Sequence, residues 1–146
     1  MSFALDVNVL LYASDEESRL HDAAKRLLER CVSGREVFCL AWVTIMSYLR
    51  MATHASVFAR PLSHEDAARN VESLIRVPQA RVLAEEDGFW PIYREIARDV
   101  PARGNTIPDA HLAALLRQHG VRVLWTSDRD FLKYRFLEVH DPAKLA

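Results

Sequence analysis

Residues 2–13, Ser2-Phe3-Ala4-Leu5-Asp6-Val7-Asn8-Val9-Leu10-Leu11-Tyr12-Ala13, decide the fold. Ser2 to Val7 read as a short buried strand ending in an acid, and Val9 to Ala13 continue apolar as a short helical turn. The same strand-then-helix alternation runs down the chain. Ser18 to Val32 predict a helix, because Leu20, Ala23, Ala24, Leu27, Leu28 and Cys31 recur at spacings of three and four, and Gly34 stops it. Val37 to Ala41 predict a second buried strand. Trp42 to Thr53 predict a largely buried helix with Trp42, Ile45, Met46 and Leu49 on one stripe. His54 to Leu62 read as a surface connection. Ser63 then caps a helix reaching about Arg76, with Glu65 and Asp66 in its first turn. Arg81 to Ala84 form a third strand, and Asp87 to Asp99 a helix that tolerates Pro91 only in its first turn. Val100 to Ile107 form a loop. Pro108 opens a helix that Gly120 ends, Val121 to Thr126 are an apolar strand, and Leu137 to Val139 a last edge strand. This alternation predicts one α/β domain over 1–146: a three-layer α/β/α sandwich with a mainly parallel sheet of four to five strands and right-handed crossovers.

Half of the 146 residues are hydrophobic and 27% are charged, an ordinary globular balance. The formal net charge of −1 argues against a uniformly basic nucleic-acid binder, so any such surface must be a local patch or be built by oligomerisation. Cys31 and Cys39 fit no zinc or redox spacing and are expected to be reduced, buried thiols. The first strand begins almost at Met1, leaving no room for a signal peptide, and the longest apolar stretch, Phe38 to Val43, is too short to cross a bilayer. A cytoplasmic protein without membrane association is the expectation. The chain carries no G-x-S-x-G, G-x-x-x-x-G-K or G-x-G-x-x-G, which removes the usual signatures of acyl hydrolases, P-loop enzymes and dinucleotide enzymes.

Three acids stand at the ends of elements. Asp6 closes the first strand, and Asp128 follows the strand ending at Thr126, so both should lie at the carboxyl edge of the sheet, where open parallel sheets bind ligands. Asp109 opens a helix in register with Leu112, Ala113 and Leu116, which turns it toward the core side. Each acid alone also suits a cap, a helix first turn or a tight turn. Their conjunction points to metal. Two carboxylates about 4 Å apart repel by about 4 kcal/mol at an effective dielectric of about 20, and a hard divalent cation such as Mg²⁺ or Mn²⁺ reverses that sign. Such an ion lowers the pKa of water and stabilises charge on a phosphodiester under in-line attack.

Leu5-Asp6-Val7-Asn8-Val9-Leu10-Leu11-Tyr12-Ala13 resembles the opening of VapC-type PIN domains. Pro108-Asp109-Ala110-His111-Leu112-Ala113-Ala114-Leu115 resembles their central acidic helix, and Thr126-Ser127-Asp128-Arg129-Asp130-Phe131 their closing T-x-D-x-D-F segment. Leu49 to Thr53 and Val57 to Ser63 resemble a stretch of one VapC subgroup, so the likeness spans nearly the whole chain. The resemblance implies a PIN fold and Mg²⁺- or Mn²⁺-dependent hydrolysis of RNA by a toxin of a type II toxin–antitoxin system. It also implies a homodimer inhibited by a small cognate VapB-like antitoxin. On this resemblance Asp6, Asp109 and Asp128 match the catalytic, metal-binding acids, and Asn8 and Thr126 match positions that support the site by hydrogen bonds. Many PIN domains carry a Glu on the helix after the second strand. Here no acid occurs between Glu36 and Glu65, and Ser47 stands where that Glu is expected. Asp130 is either the replacement charge or a turn residue, and three acids justify one tightly bound metal more readily than two.

Among basic residues, Arg50, Arg60, Arg103 and Arg129 are candidates for phosphate, Arg50 being equally suited to a structural pairing on a buried helix. His111, two residues from Asp109, faces away from it and reads as exposed or structural. Trp42 and Trp125 read as core, leaving Trp90 as the one stacking candidate for a base. Two competing functions stand beside the nuclease toxin. One is a catalytically weak RNA- or antitoxin-binding module on the same fold, and the other a DNA nuclease.

Overall fold

The computed structural model describes residues 2–145. Five strands, β1 (Phe3–Leu5), β2 (Phe38–Ala41), β3 (Ala80–Leu83), β4 (Val123–Trp125) and β5 (Glu138–His140), form one sheet in the order β3-β2-β1-β4-β5, every pairing parallel. Six α-helices accompany them: α1 (Val7–Ser14), α2 (His21–Ser33), α3 (Trp42–Ala52), α4 (His64–Ile75), α5 (Phe89–Asp99) and α6 (Ile107–Gln118). Short 3₁₀ turns lie at Gly104–Thr106, Arg129–Lys133 and Pro142–Lys144.

The three central strands are short and buried on both faces, which is why they read as unbroken apolar runs. Their alternation divides the core. Phe3, Leu5, Phe38, Leu40, Val123 and Trp125 pack on one side with Val9 and Leu10 of α1, Leu27 of α2, Ile45 and Tyr48 of α3 and Val71 of α4. Ala4, Cys39, Ala41 and Leu124 pack on the other with Ile96 of α5 and Ala113 and Leu116 of α6. Helices thus cover both faces, giving the three α/β/α layers expected. Cys31 and Cys39 are unpaired and buried, and burial pushes their thiols up to about 12 and about 11. Among the described residues no helix is long and apolar enough to cross a membrane.

The structure moves several boundaries. The expected turn at Val9 to Ala13 is an eight-residue helix beginning at Val7, with Asp6 as its N-cap. The helix expected from Ser18 starts at His21, because the Ser18 hydroxyl accepts from Leu20 N–H at 3.1 Å and holds a turn there. Helix α3 corrects the buried stripe. It buries Thr44, Ile45, Tyr48 and Ala52, while Trp42 is 45% and Met46 54% exposed. Both lie two residues, about 200° around the helix, from Thr44. Trp42 is therefore a surface residue and not part of the core. Trp125 is buried as expected, and Trp90 is exposed.

Replacing Leu124, which is fully buried in β4, by alanine is expected to cost about 2–5 kcal/mol. Met46→Ala is expected to change stability by no more than about 0.5 kcal/mol. Urea unfolding of the two variants checks the assignment of inside and outside; comparable losses would contradict it.

Candidate metal centre

The strand order fixes where the site forms. The chain goes from β1 outward through β2 to β3, then returns to add β4 on the opposite flank of β1. The loops leaving β1 and β4 therefore diverge and leave a crevice at the carboxyl edge between two adjacent strands, the position at which open α/β sheets bind ligands. Pairing of Leu5 with Trp125 brings the ends of these strands side by side, and Asp6 N–H donates to Trp125 O at 3.0 Å.

Asp6 is buried, and both its oxygens are engaged. Oδ1 accepts from Val7 N–H at 2.7 Å, while Oδ2 accepts from the Thr126 hydroxyl at 2.8 Å and from Asn8 Nδ2 at 3.3 Å. Thr126 Oγ1 in turn accepts from Asn8 Nδ2 at 2.9 Å and from Asp128 N–H at 3.0 Å. Its one proton and two lone pairs are thus all used. Asn8 Oδ1 accepts from Ser127 N–H at 3.2 Å, closing the network between the two loops. Burial raises the pKa of Asp6, opposed by the hydrogen bonds from Thr126 and Val7 and reinforced by the charge of Asp128.

The closest gathering of carboxylates is not quite the expected one. Asp109, Asp128 and Asp130 each offer an oxygen, and these lie within 4.8 Å of one another. Asp6 stands outside that trio, near enough that its charge acts on Asp109 and that it senses Asp128. Asp109 comes from the first turn of α6 and is half-buried. Asp128 and Asp130 are placed by the 3₁₀ turn, in which Asp128 Oδ1 accepts from Asp130 N–H at 2.9 Å. Asp130 is therefore both a turn residue and a member of the cluster. Burial first, then the charges of Asp128, Asp6 and Asp130, push the pKa of Asp109 up to about 6, with Lys133 opposing.

The donor set suits a hard divalent cation: carboxylate oxygens converge without a cysteine or histidine among them. The cation that opposes this shift is Lys133, which is itself 3.8 Å from Asp130 and largely exposed. Sequence reasoning did not reach Lys133 or Tyr134. The i, i+3 step of the 3₁₀ turn pairs Asp130 with Lys133. Burial and the nearby Asp109 push the Tyr134 hydroxyl up to about 12. An acid-x-x-basic step beside the closing motif is the sequence signal that finds the first; nothing in the local pattern finds the second.

The remaining candidates are dispersed. Ser47 is half-buried on α3, and no hydrogen bond among the described residues joins it to the acids. Arg50 is exposed at the end of α3 and takes part in no ion pair among the described residues, so the buried structural pairing considered for it is absent. Arg60 lines a separate cleft with Asp15, Glu16 and Glu17. The Arg103 backbone caps the 3₁₀ turn before α6 through the Thr106 hydroxyl. His111 reaches Glu85 across the loop after β3 and packs edge-on against Phe89. Arg129 lines a cleft beside Asp128.

The PIN domain family model matches residues 3–137, and the chain belongs to that family, in its VapC branch. It is 43% identical over 142 residues to Ribonuclease VapC48 of Mycobacterium tuberculosis, covering 97% of this chain and 98% of that one. It is 36% identical over 138 residues to Ribonuclease VapC43 of the same species, covering 94% and 93%. Among solved structures it superposes on M. tuberculosis VapC20, a Sarcin-Ricin loop cleaving toxin, with a TM-score of 0.70 at 18% identity over 94% of this chain and 98% of that one. It superposes on VapBC-1 of nontypeable Haemophilus influenzae with a TM-score of 0.65 at 21% identity over 99% and 100%. At these identities the two structures speak to the fold.

Two measurements check the site. Thr126→Val leaves Asp128 N–H without its acceptor and Asp6 Oδ2 without its hydroxyl donor, and is expected to cost about 1–3 kcal/mol in urea unfolding; a neutral result would show that these hydrogen bonds add nothing net to stability. For Asp109, the folded-state pKa of about 6 lies above the ordinary value of 3.8, so the metal-free folded state binds the extra proton between them. Stability from this group is therefore fully present below about pH 4, is lost as pH rises through about 6, and is level above that. In chelator-treated protein, Asp109→Asn should be progressively more stable relative to wild type from pH 4 to pH 7. A constant difference across that range would contradict the crowding of charge.

Proposed function

We propose that the chain is a metal-dependent endoribonuclease, the toxin component of a VapBC-type toxin–antitoxin system. The observation that carries this reading is the convergence of Asp109, Asp128 and Asp130, with Asp6 beside them, at the switch point of a PIN fold whose curated relatives are VapC ribonucleases. Asp6, Asp109 and Asp128 would hold Mg²⁺ or Mn²⁺, and Asp130 supplies the charge that α3 does not. When bound, the ion adds positive charge for the scissile phosphodiester and lowers the pKa of the attacking water.

The chain's own residues do the rest. Thr126 and Asn8 fix the Asp6 carboxylate, and through Asp128 N–H and Ser127 N–H the same pair ties the β4 loop to the β1 loop. This rigid placement of donors is the condition for orienting a phosphate and a water in line. Asp109 must lose its proton to bind a cation, so metal affinity declines as pH falls below about 6. Arg129, beside Asp128, is placed to meet a phosphate. Arg50 is exposed in the last turn of α3 and is a weaker candidate.

A small VapB-like antitoxin and a second copy of the chain are the proposed partners. The support is the similarity to toxin–antitoxin complexes such as VapBC-1, together with apolar surface left open: Trp42 and Met46 on α3, Trp90 on α5, and a 560 Å³ cleft between α1, α2, α3 and α4. A cytoplasmic location follows from this role. One observation favours a second reading, a catalytically weak RNA- or antitoxin-binding module: helix α3 carries no carboxylate.

Incubating purified protein with RNA and Mg²⁺ or Mn²⁺ decides between them. Cleavage that falls by at least about 100-fold in Asp109→Asn is expected, since loss of several kcal/mol of charge stabilisation corresponds to that factor. Mn²⁺ titration calorimetry should show the same variant losing affinity while its unfolding midpoint at neutral pH does not fall. Cleavage surviving both Asp6→Ala and Asp109→Asn would remove the site. Intact RNA under all conditions would favour the binding module, and faster cleavage of DNA of matched sequence would make the chain a DNA nuclease.

A further inference from the structure

A cleft of 360 Å³ lies beside the acids at the carboxyl edge of β4 and β5. Trp125, Thr126, Asp128, Arg129, His140 and Lys144 are among the residues that line it, and Trp125 and His140 are side-by-side partners on β4 and β5. Three features mark it as more than a seam between elements. It shares Thr126 and Asp128 with the acidic site, so a chain seated at the acids runs into it without a gap. Leu132, also in its lining, is 56% exposed and offers apolar surface to solvent. The His140 ring stacks on Trp125 at 4.9 Å between centroids and 29° between planes, and its Nε2 meets Glu138 Oε2 at 2.9 Å, so the imidazole is held in place against a buried indole. The charges are also sorted. Asp141, the one other acid lining the cleft, caps the last 3₁₀ turn by accepting from Ala143 N–H at 2.9 Å, whereas neither Arg129 nor Lys144 takes part in an ion pair among the described residues.

We propose that this cleft is a nucleotide subsite of the ribonuclease, in which His140 carries a base and Arg129 and Lys144 hold the adjoining phosphates of a single-stranded RNA. The inference rests on the ribonuclease reading and deepens it by naming where the strand leaves the scissile phosphate. The size is at the lower end of about 300–1,000 Å³ for ligand clefts, right for one nucleotide and too small for a duplex. Histidine is among the side chains on which splayed-out bases stack, and Trp125 fixes the plane it offers. Two cations lining one small cleft suit neighbouring phosphates of a flexible strand. This local arrangement reconciles RNA binding with a chain whose formal net charge is −1: the attraction is confined to the edge where the reaction takes place.

The test measures binding of a fluorescein-labelled pool of short single-stranded RNA by anisotropy, in Mn²⁺ on ice, as a function of salt, with cleavage and Mn²⁺ calorimetry on the same preparations. Lys144→Ala and Arg129→Ala should each weaken binding, and each should reduce the slope of log affinity against log salt by about 0.7, the value of one phosphate contact on a single strand. His140→Ala should weaken binding on the order of tenfold with the salt slope unchanged, as loss of stacking without loss of a phosphate contact requires. All three should keep wild-type Mn²⁺ affinity. Arg76→Ala, an exposed cation at the end of α4, which packs by β3 at the opposite edge of the sheet from β5, should match wild type in every measurement. Wild type that binds and cleaves while the three cleft variants keep its affinity and slope would overturn the subsite and leave the ribonuclease reading standing. Wild type that binds Mn²⁺ but neither binds nor cleaves the pool would overturn both.

Discussion

One hydroxyl group joins the two halves of this molecule's chemistry. Thr126 Oγ1 donates to Asp6 at the end of β1 and accepts from Asn8 and from Asp128 N–H beyond β4. Parallel pairing of β1 with β4 puts it there, across 120 residues of sequence. Without that pairing Asp6 would be an ordinary helix cap and Asp128 an ordinary turn residue. With it, two loops that diverge from adjacent strands are held as one rigid floor. The remaining acids, Asp109 from α6 and Asp130 from the 3₁₀ turn, are set above that floor.

The floor is built against an electrostatic gradient. Oxygens of Asp109, Asp128 and Asp130 within 4.8 Å of one another repel, when charged, by at least about 3.5 kcal/mol per pair at an effective dielectric of about 20, before solvent screening of the exposed Asp130 reduces it. The molecule answers this only in part. Lys133 lies close to Asp130, and Asp109 retains its proton up to about pH 6. The packed core on both faces of the sheet absorbs the cost, with β1 and β4 buried on both sides directly beneath the acids. Stability is concentrated where the site needs rigidity, and the charge it carries is left without full compensation from the protein.

Much of this was legible in the residues because the relevant signals are local and redundant. Strands buried on both faces have little choice but to be apolar runs, so Phe3 to Leu5, Phe38 to Ala41 and Val123 to Trp125 stand out. Acids directly after such strands stand out with them. Helix α3 shows where the signal fails. Nearly every position is apolar, so the period does not say which face is inside, and Trp42 and Met46 lie on the exposed one although the apolar stripe points inward. Asp130 shows another limit. As a residue in a turn it has no face to read, and whether it joins Asp109 depends on how the turn docks against α6, which only the tertiary structure settles. Asp6 illustrates the converse: its position was plain, but both its oxygens are committed to hydrogen bonds within its own loop network, and no sequence pattern reveals that commitment.

The distribution of charge around the site has a consequence for the order in which ligands bind on the proposed reading. A carboxylate cluster presents the wrong sign to a phosphodiester, and the cations nearby, Arg129, Lys133 and Lys144, lie to its side and not within it. In the absence of a divalent ion the acids repel the very phosphate that must be cut, while the flanking cations attract its neighbours. Occupation by a cation removes the repulsion and leaves the attraction, so metal and RNA must each strengthen the binding of the other by the same factor, as linkage requires. Because Asp109 holds its proton until about pH 6, that mutual strengthening weakens in acid along with the metal affinity on which it depends. A fold that assembled the same residues farther apart would relieve the repulsion and lose the coupling with it.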